Sequence, residues 1–70
     1  MMPLNLAVPG EENIIRRIGG TPDVKRHLEN LGFVVGGTCN LISVINGNVI
    51  VKVKESRVAI SGEMAQKIMV

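Results

Sequence analysis

The dipeptide Asn46-Gly47 separates two β-forming runs, TCNLISVI (38–45) and NVIVKVK (48–54). A type I′ turn needs positive φ at both central residues, and Asn-Gly meets that requirement at the least steric cost. The pair therefore predicts a tight antiparallel hairpin. The return run alternates cleanly. Val49, Val51 and Val53 share one face, and Ile50, Lys52 and Lys54 share the other.

The rest of the chain is punctuated around this hairpin. Pro9-Gly10 is a turn signal. Residues 13–18, NIIRRI, read as a strand rich in β-branched isoleucine, and its imperfect alternation predicts a bulge near Arg16-Arg17. Gly19-Gly20 ends that strand. Thr21-Pro22-Asp23 then opens a helix, with Thr21 as cap, Pro22 at the first helical position and Asp23 at the positive end of the dipole. Val24, Leu28 and Leu31 recur at i, i+4 and i+7 as a narrow apolar stripe. Gly32 stands where a left-handed residue terminates a helix, so the helix is expected over about 22–31 with Phe33 free to fold back on the core. Gly36-Gly37 turns the chain into the hairpin. Glu55-Ser56 turns it into a brief strand, 57–60, and Ser61 caps a closing helical turn in which Met64, Ala65 and Ile68 pack inward.

Short antiparallel strands with glycine corners in so few residues favour a mainly β fold, a small barrel, because closure removes exposed strand edges. The 70 residues make one domain, 1–70. With no Trp, no Tyr and one Phe, its core must be assembled from small aliphatic side chains. A hydrophobic content of 46% and mean hydropathy of +0.30 exclude a disordered chain. Lone Cys39 has no disulfide partner and suits a reducing compartment. MMPLNLAVPG has neither the basic start nor the apolar segment of a secretory signal, and no apolar run approaches the roughly 18 residues of a membrane span. The expected location is the cytoplasm.

Sites of chemistry are scarce. His27 and Cys39 are the candidate metal ligands, but catalytic zinc takes three protein ligands and structural zinc four. On a helical wheel Glu29 points away from His27. The plainer assignment is a flanking helix histidine and a small buried hydrophobe. No serine carries a nucleophile motif, and Gly19-Gly20 lacks the Gly-Lys-Ser/Thr ending of a phosphate-binding loop. The chain carries no signature of an enzyme and none of a bound cofactor. The net charge of +2 is dispersed along the sequence, as on an ordinary solvated surface. Lys52, Lys54 and Arg57 could hold phosphates, but the aromatic platforms of single-strand recognition are missing. The lysines read instead as protection for an edge strand, and no nucleic-acid partner is expected. Ile50 among those lysines hints at a homo-oligomer. What remains from residues alone is a compact binding module.

Leu6 with Pro9-Gly10, then Ile15, Ile18 and Gly19, then Leu28-x-x-Leu31-Gly32-Phe33-x-x-Gly36 form one ordered set of apolar and glycine positions. The set continues through the hairpin at Asn46–Val53, Val58-Ala59-Ile60, and Ala65 with Ile68. Together they resemble the FeoA family of small cytoplasmic ferrous iron transport accessory proteins. The resemblance implies an SH3-like barrel with an inserted helix and a short C-terminal helical turn. It also implies a non-catalytic role in contact with the cytoplasmic, GTPase-containing part of the FeoB permease. Family descriptions attach transition-metal binding, so Fe²⁺ is a candidate ligand, but the matched positions are structural and carry no metal ligand over. The corner Leu31, Gly32, Phe33 and Gly36 is the expected partner-binding surface. The alternatives are a direct Fe²⁺-binding protein using His27 and Cys39, and a nucleic-acid-binding barrel.

Overall fold

The computed structural model describes residues 1–70. A 3-10 turn at Leu4–Leu6 leads into β1 (Glu12–Ile14) and β2 (Arg17–Ile18), then helix α1 (Pro22–Leu31). The hairpin β3 (Thr38–Ile45) and β4 (Asn48–Val53) follows, then β5 (Ser56–Ser61), helix α2 (Gly62–Ala65) and β6 (Ile68–Met69). Strands β1-β3-β4-β5 form one antiparallel sheet in that order, and β2 pairs with β6 in a second.

The two sheets are joined by a bent strand. In a regular strand Ile15 and Ile18 would face opposite sides, because side chains alternate. Here β1 and β2 are interrupted at Ile15-Arg16, one residue before the expected bulge, and the interruption re-phases the strand so that both isoleucines are buried. The backbone stays satisfied across the break. Ile15 N–H donates to Gly37 O at 2.8 Å, and Arg16 N–H donates to Met69 O at 2.8 Å.

The hairpin forms as its turn residues dictate, with Asn46 at φ 49° and Gly47 at φ 80°. Val49, Val51 and Val53 face inward and are almost fully buried. The ladder of β3 and β4 shifts register between Leu41 and Ser43, which leaves Ile42 as an extra residue. Gly62 N–H donates to Gly47 O at 2.9 Å, tying the hairpin tip to the start of α2. Leu4, Ile15, Leu28, Phe33, Leu41 and Ile68 fill the centre with the valines.

Three expectations change. The closing element is a helical turn followed by a strand: Ile68 packs inward from β6, because Gly19 N–H to Lys67 O (2.7 Å) and the β2 pairing hold it extended. The strand bearing Lys52 is no edge, and Lys54 falls in the turn after it. β4 lies between β3 and β5, so Lys52 projects from a sheet face. The third concerns closure, since the ring of hydrogen-bonded strands ends at β5, against which α2 packs. The architecture is a small SH3-like barrel, with α1 inserted at the boundaries expected of it.

Candidate interaction surface

Helix α1 begins and ends on local chemistry. Val24 N–H donates to Thr21 Oγ1 at 3.3 Å, with Pro22 and Asp23 in the first turn. At the other end Gly32 adopts φ 110°. Gly32 N–H donates to Glu29 O and Phe33 N–H donates to Leu28 O, both at 2.9 Å. This paired arrangement is the Schellman motif, which brings the residue after the glycine back over the last turn. Phe33 is therefore turned into the core beside Leu28, and both have 0% exposure.

The corner that follows is short and fully hydrogen-bonded. Gly36 N–H donates to Ile15 O at 2.8 Å and Gly37 N–H to Val34 O at 3.0 Å. Gly36 takes φ 89°, and a Cβ on Gly37 would meet Val34 Cγ2 at 3.1 Å. Glycine is thus needed at one position for conformation and at the next for close approach. The consequence is a fixed ridge presenting Val34 (39% exposed) and Val35 (64% exposed) to solvent. Ile14, 49% exposed, precedes the Ile15 to which the corner is bonded.

The sequence reading placed the surface at Leu31, Gly32, Phe33 and Gly36. The structure puts Leu31 and Gly32 half-buried and Gly36 exposed, while Phe33 has no surface at all. Phe33 is the anchor of the corner, and its exposed apolar side chains are Val34 and Val35, which sequence reasoning missed. The available signal was Gly32 itself. A Schellman terminus turns only the next residue inward, so in Phe33-Val34-Val35 the two valines are left over.

His27 and Cys39 are not brought together. His27 is exposed on α1, whereas Cys39 lies on the inner face of β3 at 1% exposure. Burial pushes the Cys39 thiol up to about 11, so it stays protonated at neutral pH, and metals bind the thiolate. Nowhere do three His, Cys, Asp or Glu side chains gather as a cation would require.

A second feature lies on the outer face of the four-stranded sheet. A depression of about 140 Å³ is lined by Glu12, Thr38, Asn40, Lys52 and Lys54. Cross-strand register explains the grouping, since Glu12 pairs with Asn40, Asn40 with Lys52, and Lys52 with Arg57. No helix in the chain is long and apolar enough to cross a membrane.

Comparison with known proteins agrees with this geometry. The FeoA domain family matches residues 2–70. A provisionally named Fe(2+) transport protein A of Methanocaldococcus jannaschii is 37% identical over 70 residues, spanning 100% of this chain and 85% of that one. The crystal structure of an iron uptake regulatory protein, FeoA, superposes with a TM-score of 0.86 at 27% identity, covering 96% of this chain and 89% of the other. The solution structure of iron(II) transport protein A from Clostridium thermocellum gives a TM-score of 0.89 at 23% identity, over 97% of this chain and 43% of that one. The fold also recurs in ScaR with bound Zn²⁺, with a TM-score of 0.85 at 21% identity over 97% of this chain and 35% of ScaR. On the whole-length family match and the whole-chain identity together, this chain belongs to the FeoA family of ferrous iron transport accessory proteins.

Proposed function

We propose that this protein is a non-catalytic, cytoplasmic accessory protein of ferrous iron uptake that acts by contact with the cytoplasmic region of a FeoB-type permease. The observation carrying this reading is the ridge at Val34 and Val35. Two adjacent β-branched apolar side chains stand exposed on a backbone held by glycine geometry and three hydrogen bonds to neighbouring strands and to the corner itself. Such a ridge is preorganised, so a partner would bind it without the cost of ordering a loop. Membership of the FeoA family supplies the transport context. Ferrous iron is then cargo of the permease.

A pull-down against the GTPase-containing region of the permease tests the contact, with and without nucleotide and ferrous iron. A Val34→Asp, Val35→Asp double variant should remain folded, because both side chains already meet water, and should lose at least about tenfold in affinity. Undiminished binding by that variant would remove the ridge from the interface. Absence of binding by the wild type would remove the permease as partner.

A further inference from the structure

We propose that the outer face of the β1-β3-β4-β5 sheet is a docking site for an extended, acidic segment of a protein partner. This inference does not rest on the ridge at Val34 and Val35, nor on the identity of the partner proposed above.

The charges on this face are unbalanced. Lys52, Lys54 and Arg57 are exposed there, and Glu12 is the carboxylate among the residues around the depression. Glu55, in the turn between β4 and β5, does not line it. None of these cations is paired, since the only ion pair in the structure is Arg26 with Asp23, on α1. Two positive side chains and a carboxylate therefore surround one concavity without neutralising one another, so the face keeps a positive potential open to an incoming anion.

The shape selects the kind of anion. The depression, about 140 Å³, is roomy enough to admit the end of one Asp or Glu side chain. The Thr38 hydroxyl and the Asn40 amide line the same space and can donate to it. Lys52 lies on β4 and Lys54 in the turn that follows it, and both line the depression. Acidic residues at alternate positions of an extended peptide point to one side of it, so their carboxylates can reach the two cations that flank this single depression. A nucleic acid fits less well. It would need base-stacking aromatics, and the chain's one aromatic residue, Phe33, is fully buried.

The test is titration of the ¹⁵N-labelled protein with a short peptide alternating glutamate and valine, beside its lysine-valine counterpart and a single-stranded DNA oligonucleotide of matched charge. The proposal expects the glutamate peptide to shift the amides of Thr38, Asn40 and Lys52, and the lysine peptide to leave them in place. Lys52→Glu should weaken binding about tenfold, and Glu12→Gln should strengthen it about two- to fivefold, as exposed charge pairs allow. Both positions are exposed, so the fold is not at stake. Equal binding by wild type and Lys52→Glu, amide shifts confined to another surface, absence of binding, or tighter binding of the oligonucleotide would each overturn it.

Discussion

Lys54 occupies a conformation that its side chain does not favour. Its φ is 55°, in the two-residue connection between β4 and β5, where Val53 pairs directly with Ser56. A left-handed residue with a Cβ costs roughly 1–2 kcal/mol, and glycine escapes this at the expense of about 0.5–1 kcal/mol of extra chain entropy. Lys54→Gly should therefore raise unfolding stability by about 0.5–1 kcal/mol, measurable as a higher denaturant midpoint with unchanged slope. A lowered midpoint would show that contacts of the lysine outweigh the backbone strain. Lys54 also stands on the rim of the polar depression. Strain of this kind gathers where a side chain serves binding. At Cys39 the logic is burial. Its thiol titrates near 11 in the fold, against 9.0 when exposed. Unfolded chains thus lose this proton first, so the Cys39 contribution to stability should be constant below about pH 9, fall as pH rises between about 9 and 11, and level off above. Cys39→Ala lacks that component. The difference between the two stability profiles should shrink over the same window, and parallel profiles would contradict the burial of an un-ionised thiol.

At the scale of elements, the corner after α1 depends on one aromatic ring. Phe33 has no exposure and closes the Schellman terminus over Leu28. Phe33→Ala should cost about 3–5 kcal/mol, a large share of the stability of so small a domain. Partner binding lost in that variant would report loss of fold, whereas loss in the double aspartate variant reports the surface. Chemical denaturation of both variants separates the two, and a Phe33→Ala midpoint near that of wild type would contradict the buried-anchor account. The helix boundaries and the hairpin were legible because their signals are local: Thr21-Pro22 before α1, Gly32 after it, and Asn46-Gly47 in the turn. β6 was not legible. Ile68-Met69 has no turn signal of its own, and it is extended because residues about fifty positions earlier in the chain supply its hydrogen-bond partners. The same holds for Leu4, whose complete burial follows from the path of the N-terminal segment and from no local periodicity. Within the surface, Gly32 was readable as a terminator, but which of Phe33, Val34 and Val35 faces solvent was decided by the motif that the glycine sets up. The grouping of Glu12 with Lys52 needed the strand order, which alternation along one strand does not contain.

The whole molecule is a barrel of small side chains around one phenylalanine, with its chemistry left on the outside. Its single cysteine is sealed in the core and its single histidine stands apart on α1, so the interior offers nothing reactive. Two exterior features remain, an apolar ridge at Val34 and Val35 and a positive face at Lys52 and Lys54. The ridge is held by the hydrogen bonds of the glycine corner to Ile15 and Val34, and Lys52 by the pairing of β4 with its neighbours, the preorganisation that the proposed role in binding requires. That claim is tested most directly by residue-resolved mapping. The ¹⁵N-labelled protein is titrated with the cytoplasmic GTPase region of the permease, and amide perturbations are read along the chain. The account predicts the largest perturbations at Val34, Val35 and Gly36, with Ile14 beside them and the valines of β4 unmoved. Perturbations centred on His27 and the solvent side of α1, or on the hairpin tip at Val44 and Ile45, would contradict it.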